Sequence, residues 1–119
     1  MRDEGQPLFL RIAEQIEGSI VDGTLAEEEQ VPSTNELAAF HRINPATAAK
    51  GVHQLVLDGV LYKRRGIGMF VADGARARLL ERRREEFARR YVAPLVAEAR
   101  TLGLDAEHLK KLIDVWSEA

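Results

Sequence analysis

Apolar residues near the start of the chain recur every four positions, at Leu8, Ile12, Ile16 and Ile20. This spacing is close to the 3.6-residue period of an α-helix and places the four side chains on one face. The pattern predicts an amphipathic helix over residues 7–22 that ends at Gly23, because glycine readily adopts the left-handed conformation common at helix ends. We expect its apolar face to pack against the rest of the domain.

A helix start is visible at Ser33, three residues before Glu36. In this arrangement the serine hydroxyl accepts a hydrogen bond from the third helical N–H, and the glutamate accepts one from the serine N–H. The pattern predicts a short helix over residues 34–41, followed by a tight turn at Arg42 and Ile43.

A second helix start follows at Asn44 and Pro45. Asparagine is a good helix cap, and proline fits the first helical position because the N–H that it lacks has no partner there. We expect a helix over residues 45–58 that ends at Gly59. Gly51 lies within it, where glycine costs about 1 kcal/mol relative to alanine. We interpret Gly51 as a point of close packing against another helix.

Two short runs of strand-forming residues come next, at residues 60–62 and 69–71. They are joined by Lys-Arg-Arg-Gly-Ile-Gly at residues 63–68, in which two glycines permit a turn and three consecutive cations lie at its tip. A helix pair with a short turn, followed by a basic hairpin, is typical of a winged helix-turn-helix. In that fold the second helix enters the major groove of DNA and the wing reaches neighbouring phosphates or the minor groove.

The remaining chain predicts a helical tail. No glycine or proline occurs between Ala75 and Pro94, so we expect a long helix that Pro94 kinks or splits, and then a final helix capped by Asp105. Each helix has an apolar face that one chain cannot cover, which predicts a homodimer. The expected dimer-interface residues are Leu80, Phe87, Tyr91, Leu95, Leu109, Leu112, Ile113 and Trp116.

These patterns predict a fold that is mainly α with a small β-hairpin, divided into two parts. Residues 1–73 are expected to form a winged helix-turn-helix domain that binds DNA. Residues 74–119 are expected to form a short helical dimerisation tail.

Charge is unevenly distributed along the chain. The formal net charge is −2 at pH 7, which is not typical of a DNA-binding protein taken as a whole. Between His41 and Gly68, however, five lysines and arginines accompany a single acidic residue, Asp58, whereas acidic residues cluster elsewhere, notably in the loop 27–29. A local basic surface favours DNA contacts that weaken steeply with salt. We interpret the arginine run 82–84 as a solvated helix face rather than a DNA contact.

Composition and motifs exclude several other classes of site. The chain has no cysteine, so it forms neither a disulfide nor a thiolate metal site, and its three histidines are too scattered to suggest a ligand pair. No nucleophile motif or phosphate-binding glycine loop is present, so we expect no enzymatic activity, no cofactor and no metal. Without an evident signal peptide or an apolar run of about 20 residues, the protein is expected in the cytoplasm, and at the nucleoid when bound to DNA.

Residues 6–72 resemble the DNA-binding domain of the GntR family of bacterial transcription regulators. The resemblance rests on the segments PLFLRIAEQI, VPSTNELA, INPATAAKGVHQL and RRGIGMFVA, which occur in the family's order and spacing. The tail of fewer than 50 residues is too short for a large effector domain and is similar to the YtrA-type subfamily, whose members carry a brief helical dimerisation tail. We therefore expect a homodimeric repressor that binds a palindromic operator.

The resemblance also implies which residues contact DNA. They are Ser33, Asn35, Asn44, Ala46, Thr47, Lys50, Arg64, Arg65 and Gly66. Among them, Lys50 is expected to pair with a phosphate, and Arg64, Arg65 and Gly66 match the wing-tip contacts. Where this chain has Asn35, the family usually has an arginine that helps to hold the operator. Asn35 is shorter and neutral, so this one contact is left open.

A winged helix used for protein–protein assembly, without sequence-specific DNA binding, is the alternative. The net acidity and the neutral Asn35 favour it. Replacing Arg64 and Arg65 by alanine discriminates between the two, because it weakens DNA binding sharply but affects a protein partner only through charge. The sequence identifies no small-molecule effector, and a pocket for one at the dimer interface, beside Tyr91 and Trp116, is left open.

Overall fold

The computed structural model describes residues 6–119. This part of the chain contains six α-helices, one π-helix and one two-stranded antiparallel sheet. In chain order the elements are α1 (Leu8–Val21), α2 (Thr34–His41), α3 (Pro45–Leu57), β1 (Leu61–Arg64), β2 (Gly68–Val71), α4 (Ala75–Phe87), the π-helix (Ala88–Val92), α5 (Ala93–Thr101) and α6 (Ala106–Ser117). The expected fold class, mainly α with a small β-hairpin, is confirmed.

The chain divides into two compact units, and the boundary lies within α4, between Leu80 and Glu81. The first unit contains α1 to α3, the hairpin and the start of α4. The second contains the rest of α4, the π-helix, α5 and α6. The domain boundary that we expect after residue 73 lies just before the start of α4, earlier in the chain than this division. It stays a prediction.

The core of the first unit forms around the apolar face of α1. Ile12, Ile16 and Ile20 of the four-residue repeat are buried, whereas Leu8, the first residue of the helix, is 38% exposed. They pack with buried residues of α2, α3, the hairpin and the start of α4, namely Leu37, Ala38, Val52, Leu55, Leu61, Val71, Ala75 and Leu79. The apolar repeat of α1 therefore serves the packing role that its spacing predicts.

Helix α3 lies very close to α1 at Gly51, which is buried. A Cβ atom added to Gly51 would lie 2.7 Å from the carbonyl oxygen of Phe9 and 3.4 Å from the Cβ of Ile12. The first distance is well inside van der Waals contact, so no side chain fits here unless the backbone moves. Close helix packing explains this mid-helix glycine, as expected.

The two predicted helix starts are present. The Oγ of Ser33 accepts a hydrogen bond from the N–H of Glu36 at 3.1 Å, and the Glu36 carboxylate accepts one from the N–H of Ser33 at 2.8 Å. The Oδ1 of Asn44 accepts one from the N–H of Ala46 at 2.7 Å. Between the helices, Arg42 adopts the left-handed conformation, with φ of 56°. These bonds determine where α3 begins and hence which residues its first turn presents.

The hairpin differs from its prediction in the length of β1. The strand begins at Leu61 and continues through Lys63 and Arg64, which pairs with Gly68. The prediction that all three cations lie at the tip is therefore wrong for Lys63 and Arg64, and only Arg65 belongs to the turn. Gly66, with φ of 75°, supplies the left-handed position that a short turn between paired strands requires.

In the second unit, the π-helix separates α4 from α5. Pro94 has no N–H for the carbonyl of Arg90, and its ring crowds that carbonyl. The wider π turn accommodates the proline, and the N–H of Ala93 donates to the carbonyl of Ala88. The expected split is confirmed, although the irregular turn precedes the proline. Helix α6 starts as predicted at Asp105, whose Oδ1 accepts a hydrogen bond from the N–H of His108 at 3.0 Å.

Candidate nucleic-acid interface

The first turn of α3 presents small and polar side chains. Asn44 and Ala46 are exposed, and Thr47 is half-buried. Because the amide oxygen of Asn44 accepts the N–H of Ala46, its NH₂ group is the part able to donate to a ligand. An exposed turn that offers an amide donor and a hydroxyl, with little steric bulk, is suited to base edges or phosphates.

The start of α2 contributes Ser33 and Asn35, which are both exposed. The Ser33 oxygen accepts the helix-capping bond, so the hydroxyl proton is what it can still donate. Hydrogen bonds from the backbone and side chain of Ser33 lower the pKa of Glu36, whose carboxylate lies in the first turn of α2. That turn therefore carries a negative charge beside the expected contacts of Ser33 and Asn35, which stay predictions.

Two of the expected phosphate-binding cations lie over aromatic rings. The Nζ of Lys50 is 4.3 Å from the ring centroid of Phe9, and the Cζ of Arg64 is 4.8 Å from that of Phe70. Such a contact contributes about 0.5–1 kcal/mol at exposed sites and restricts where the charge lies. Sequence reasoning missed the pair formed by Lys50 and Phe9, because these residues lie on different helices.

The wing tip is supported by Gln30. Its side-chain Nε2 donates a hydrogen bond to the carbonyl of Ile67 at 3.0 Å, and its backbone forms a β-bridge with Phe70. Gly68, with φ of 146°, lies so close that an added Cβ would be 2.6 Å from this Nε2. Arg65 and Gly66 are exposed in the turn that Gln30 holds. Sequence reasoning missed Gln30. The sequence feature that came closest to revealing it was Gly68, the second glycine of residues 63–68, where an added Cβ would meet the Gln30 side chain.

A second support for the wing comes from Glu28. Its carboxylate accepts a hydrogen bond from the hydroxyl of Tyr62 on β1, and this bond raises the pKa of Tyr62. The backbone of Glu28 is left-handed, with φ of 68°, which is uncommon for a residue other than glycine. Its N–H donates to the carbonyl of Val71 on β2 at 2.8 Å. The acidic loop 27–29 therefore contacts both strands of the wing.

The residues expected at a dimer interface are largely uncovered in the single chain. Leu80 and Leu109 are half-buried, whereas the other six, Phe87, Tyr91, Leu95, Leu112, Ile113 and Trp116, are exposed. Trp116 is 74% exposed. Sequence reasoning missed three further exposed apolar residues of the second unit, Val92, Leu102 and Val115. Exposed apolar residues that form a contiguous patch are typical of an interaction site, and the interface residues stay predictions.

The described residues contain no group of three or more histidine, aspartate or glutamate side chains placed to hold a metal ion. No helix formed by residues 6–119 is both long and apolar enough to cross a membrane.

Comparison with known proteins shows similarity along most of the chain. The family model described as bacterial regulatory proteins, gntR family, matches residues 8–71. The HTH-type transcriptional regulator YhcF of Bacillus subtilis (strain 168) is 27% identical over 113 residues, which cover 95% of this chain and 92% of YhcF. The HTH-type transcriptional repressor YtrA of the same organism is 25% identical over 107 residues, which cover 90% of this chain and 82% of YtrA.

Solved structures show the same likeness. A transcriptional regulator of the GntR family from Bacteroides thetaiotaomicron superposes with a TM-score of 0.79 at 31% identity, covering 93% of this chain and 96% of that one. The structure of AraR(DBD) in complex with operator ORX1 has a TM-score of 0.54 at 31% identity, covering 56% of this chain and 81% of that one. One of these two neighbours is thus a domain solved on its operator DNA.

Proposed function

The chain belongs to the GntR family of bacterial regulatory proteins, and on this basis we propose that it is a homodimeric repressor that binds a palindromic DNA operator. Its relatives are transcription regulators and not enzymes, so DNA-binding regulation is the activity from which the proposal starts. To this shared activity we add a two-fold assembly, a palindromic operator and repression as the sign of regulation. The name of YtrA as a transcriptional repressor supports the sign. A regulator of this kind would act at the nucleoid, in the bacterial cytoplasm.

The exposed first turn of α3, together with a supported basic wing, is the observation that carries the proposal. In this arrangement α3 enters the major groove, and Asn44, Ala46 and Thr47 face the base edges. Arg65 and Gly66 of the wing approach the minor groove or the phosphates that flank it. Gln30 and Glu28 support the proposal because they hold the wing in one place before DNA arrives.

The cations over aromatic rings favour phosphate binding for an entropic reason. A free lysine or arginine side chain loses about 1.5–2 kcal/mol of rotamer entropy when it is fixed. Phe9 and Phe70 restrict Lys50 and Arg64 in the absence of DNA, so less entropy remains to be lost on binding. Both side chains are exposed to solvent.

The exposed apolar side chains of the second unit support the homodimer. A second copy covers them, and a two-fold axis places the two α3 helices about 34 Å, or a multiple of that distance, apart on one face of the DNA. Sedimentation velocity of the full chain is expected to show a dimer at micromolar concentration. Trp116→Ser is expected to shift it towards monomer. Phe40→Ser, which changes an 82% exposed aromatic residue of the first unit, is the matched control.

Selection of bound duplexes from a random DNA pool tests the function as a whole. The wild-type protein is expected to enrich a palindrome, and the Arg64→Ala/Arg65→Ala variant is expected to lose it. Arg83→Ala/Arg89→Ala removes the same charge from exposed helical positions of the second unit and is expected to keep it. Failure of the wild type to enrich any sequence at low salt would favour the alternative, a winged helix that binds a protein partner.

A further inference from the structure

The start of α4 is bound to the acidic loop 27–29 through Glu27. The Glu27 carboxylate accepts hydrogen bonds from the backbone N–H groups of Gly74, at 3.0 Å, and Arg76, at 3.1 Å. These groups lie at the positive end of the helix, where an anion is stabilising. The bonds from Gly74 and Arg76 lower the pKa of Glu27, so this carboxylate stays ionised at neutral pH. The Glu27 side chain therefore binds two backbone N–H groups at the start of α4.

Two arginines of α4 bind further parts of the first unit. The Nε of Arg76 donates to the carbonyl of Val21 at the end of α1, at 2.9 Å. The Nη2 of Arg78 donates to the carbonyl of Gly59, which follows α3, at 2.7 Å. Since Ala75 and Leu79 are also buried, the first turns of α4 are held on several sides. All these partners belong to the first unit, which contains the candidate DNA-binding residues.

Helix α4 then continues without interruption to Phe87, beyond the boundary between the two units. In a dimer formed through the tail, the direction in which α4 leaves each first unit affects the separation and relative rotation of the two α3 helices. One base pair changes the half-site separation by about 3.4 Å and the rotation by about 34°. A helix start that moves by such amounts would accept operators of several spacings.

We propose that Glu27 is a positioning residue that makes the protein selective for one operator half-site spacing, by holding the start of α4 against the DNA-binding unit. The inference rests on the proposed function, because spacing has meaning only for a dimer on a two-part operator. Arg76 acts with Glu27 through its bond to Val21. Neither residue needs to contact DNA.

The test uses a set of duplexes that share one pair of half-sites and differ by single base pairs in the spacer. Fluorescence anisotropy gives the affinity of the dimer of the 119-residue chain for each duplex. The readout is the ratio of the affinity for the preferred spacer to that for spacers one base pair longer or shorter. Partial unfolding lowers every affinity by the same factor and cancels in this ratio, so a merely structural effect leaves the ratio unchanged.

Glu27→Ala is expected to lower the ratio towards 1, because the two hydrogen bonds that hold the start of α4 are lost. Glu27→Gln, which keeps an acceptor oxygen, is expected to give an intermediate ratio. Arg76→Met keeps the aliphatic stem but removes the bond to Val21, and it is expected to reduce the ratio as well. Glu85→Ala removes the same charge from an exposed position of α4 and is expected to keep the wild-type ratio.

Wild-type ratios in both Glu27→Ala and Arg76→Met would overturn the positioning role while leaving the dimeric repressor intact. If Glu27→Ala does not fold, by circular dichroism, the result for Arg76→Met decides. A wild-type protein that binds the half-sites equally well at every spacing would overturn the two-part operator itself, and the positioning role with it. The two failures are therefore distinguishable.

Discussion

The salt dependence of operator binding gives a quantitative test of the proposed phosphate contacts. Lys50, Arg64 and Arg65 supply three cations in each protomer and therefore six in a dimer. Because each neutralised phosphate of double-stranded DNA releases about 0.9 counterions, a plot of log affinity against log salt is expected to have a slope of about −5. Affinity is then expected to fall about 10³-fold between about 50 and 200 mM salt.

The Arg64→Ala/Arg65→Ala variant keeps only Lys50 of these cations. Its slope is expected to be about −2, with a loss of about tenfold across the same salt range. The two proteins should therefore differ most at low salt and converge as the salt concentration rises. This convergence separates lost phosphate contacts from lost base contacts, since the latter lower the affinity by a similar factor at every salt concentration.

Fluorescence anisotropy with a labelled operator duplex, titrated at several potassium chloride concentrations, measures both slopes. The Arg83→Ala/Arg89→Ala variant is the control and is expected to keep the wild-type slope, because we interpret the tail arginines as solvated. A wing variant with the wild-type slope would refute the reasoning, since its arginines would then not lie near phosphates. A shallower slope in the control would instead place the tail arginines on DNA.

Three further predictions concern the scaffold of the first unit. Gly51→Ala is expected to lower the free energy of unfolding, measured in urea, by at least about 1 kcal/mol. The added methyl group would crowd the Phe9 carbonyl, and the cost of this crowding exceeds the gain in helix propensity. Equal or higher stability would contradict this. Arg42→Gly is expected to raise that free energy by about 0.5–1 kcal/mol, because glycine adopts the φ of 56° without strain, and Arg42→Ala, the control, should give no such gain. The pKa of Glu36 is lower in the folded protein than in the unfolded chain. The ionised Glu36 therefore contributes its full stability above its unfolded-state pKa, and this contribution is lost as pH falls through its folded-state pKa. Thermal unfolding between about pH 3 and pH 6 is therefore expected to depend less on pH in Glu36→Gln, and an equally steep dependence would contradict the capping role.

Local patterns were sufficient to predict most elements of the first unit. The caps at Ser33 and Asn44 and the helix ends at Gly23 and Gly59 depend on residues no more than four positions away, so the sequence displays them directly. The role of Gly51 was also predictable, because a mid-helix glycine lowers helix stability and close packing against another helix offsets that loss. The length of β1 could not be predicted from local patterns, because pairing with Gly68 across the hairpin extends the strand through Arg64.

The supports of the candidate DNA-binding surface could not be predicted in the same way. Gln30 binds the backbone carbonyl of Ile67, and Glu28 binds the hydroxyl of Tyr62. Both pairs are distant along the chain, and glutamine and glutamate are common on any protein surface. The bond between Glu27 and the start of α4 has the same character. No periodicity or motif marks such pairs, because the tertiary fold alone brings their members together.

The acidic loop 27–29 changes how the net charge of the chain bears on function. Taken over the whole sequence, a charge of −2 weighs against DNA binding and, with the neutral Asn35, favours a protein-interaction module. Glu28, however, accepts its hydrogen bond from the wing strand, and Glu27 accepts two from the start of α4. Two acidic side chains are thus engaged in holding the elements that carry or position the cations. Net charge is therefore a poor guide here, and the placement of the carboxylates favours the DNA-binding interpretation.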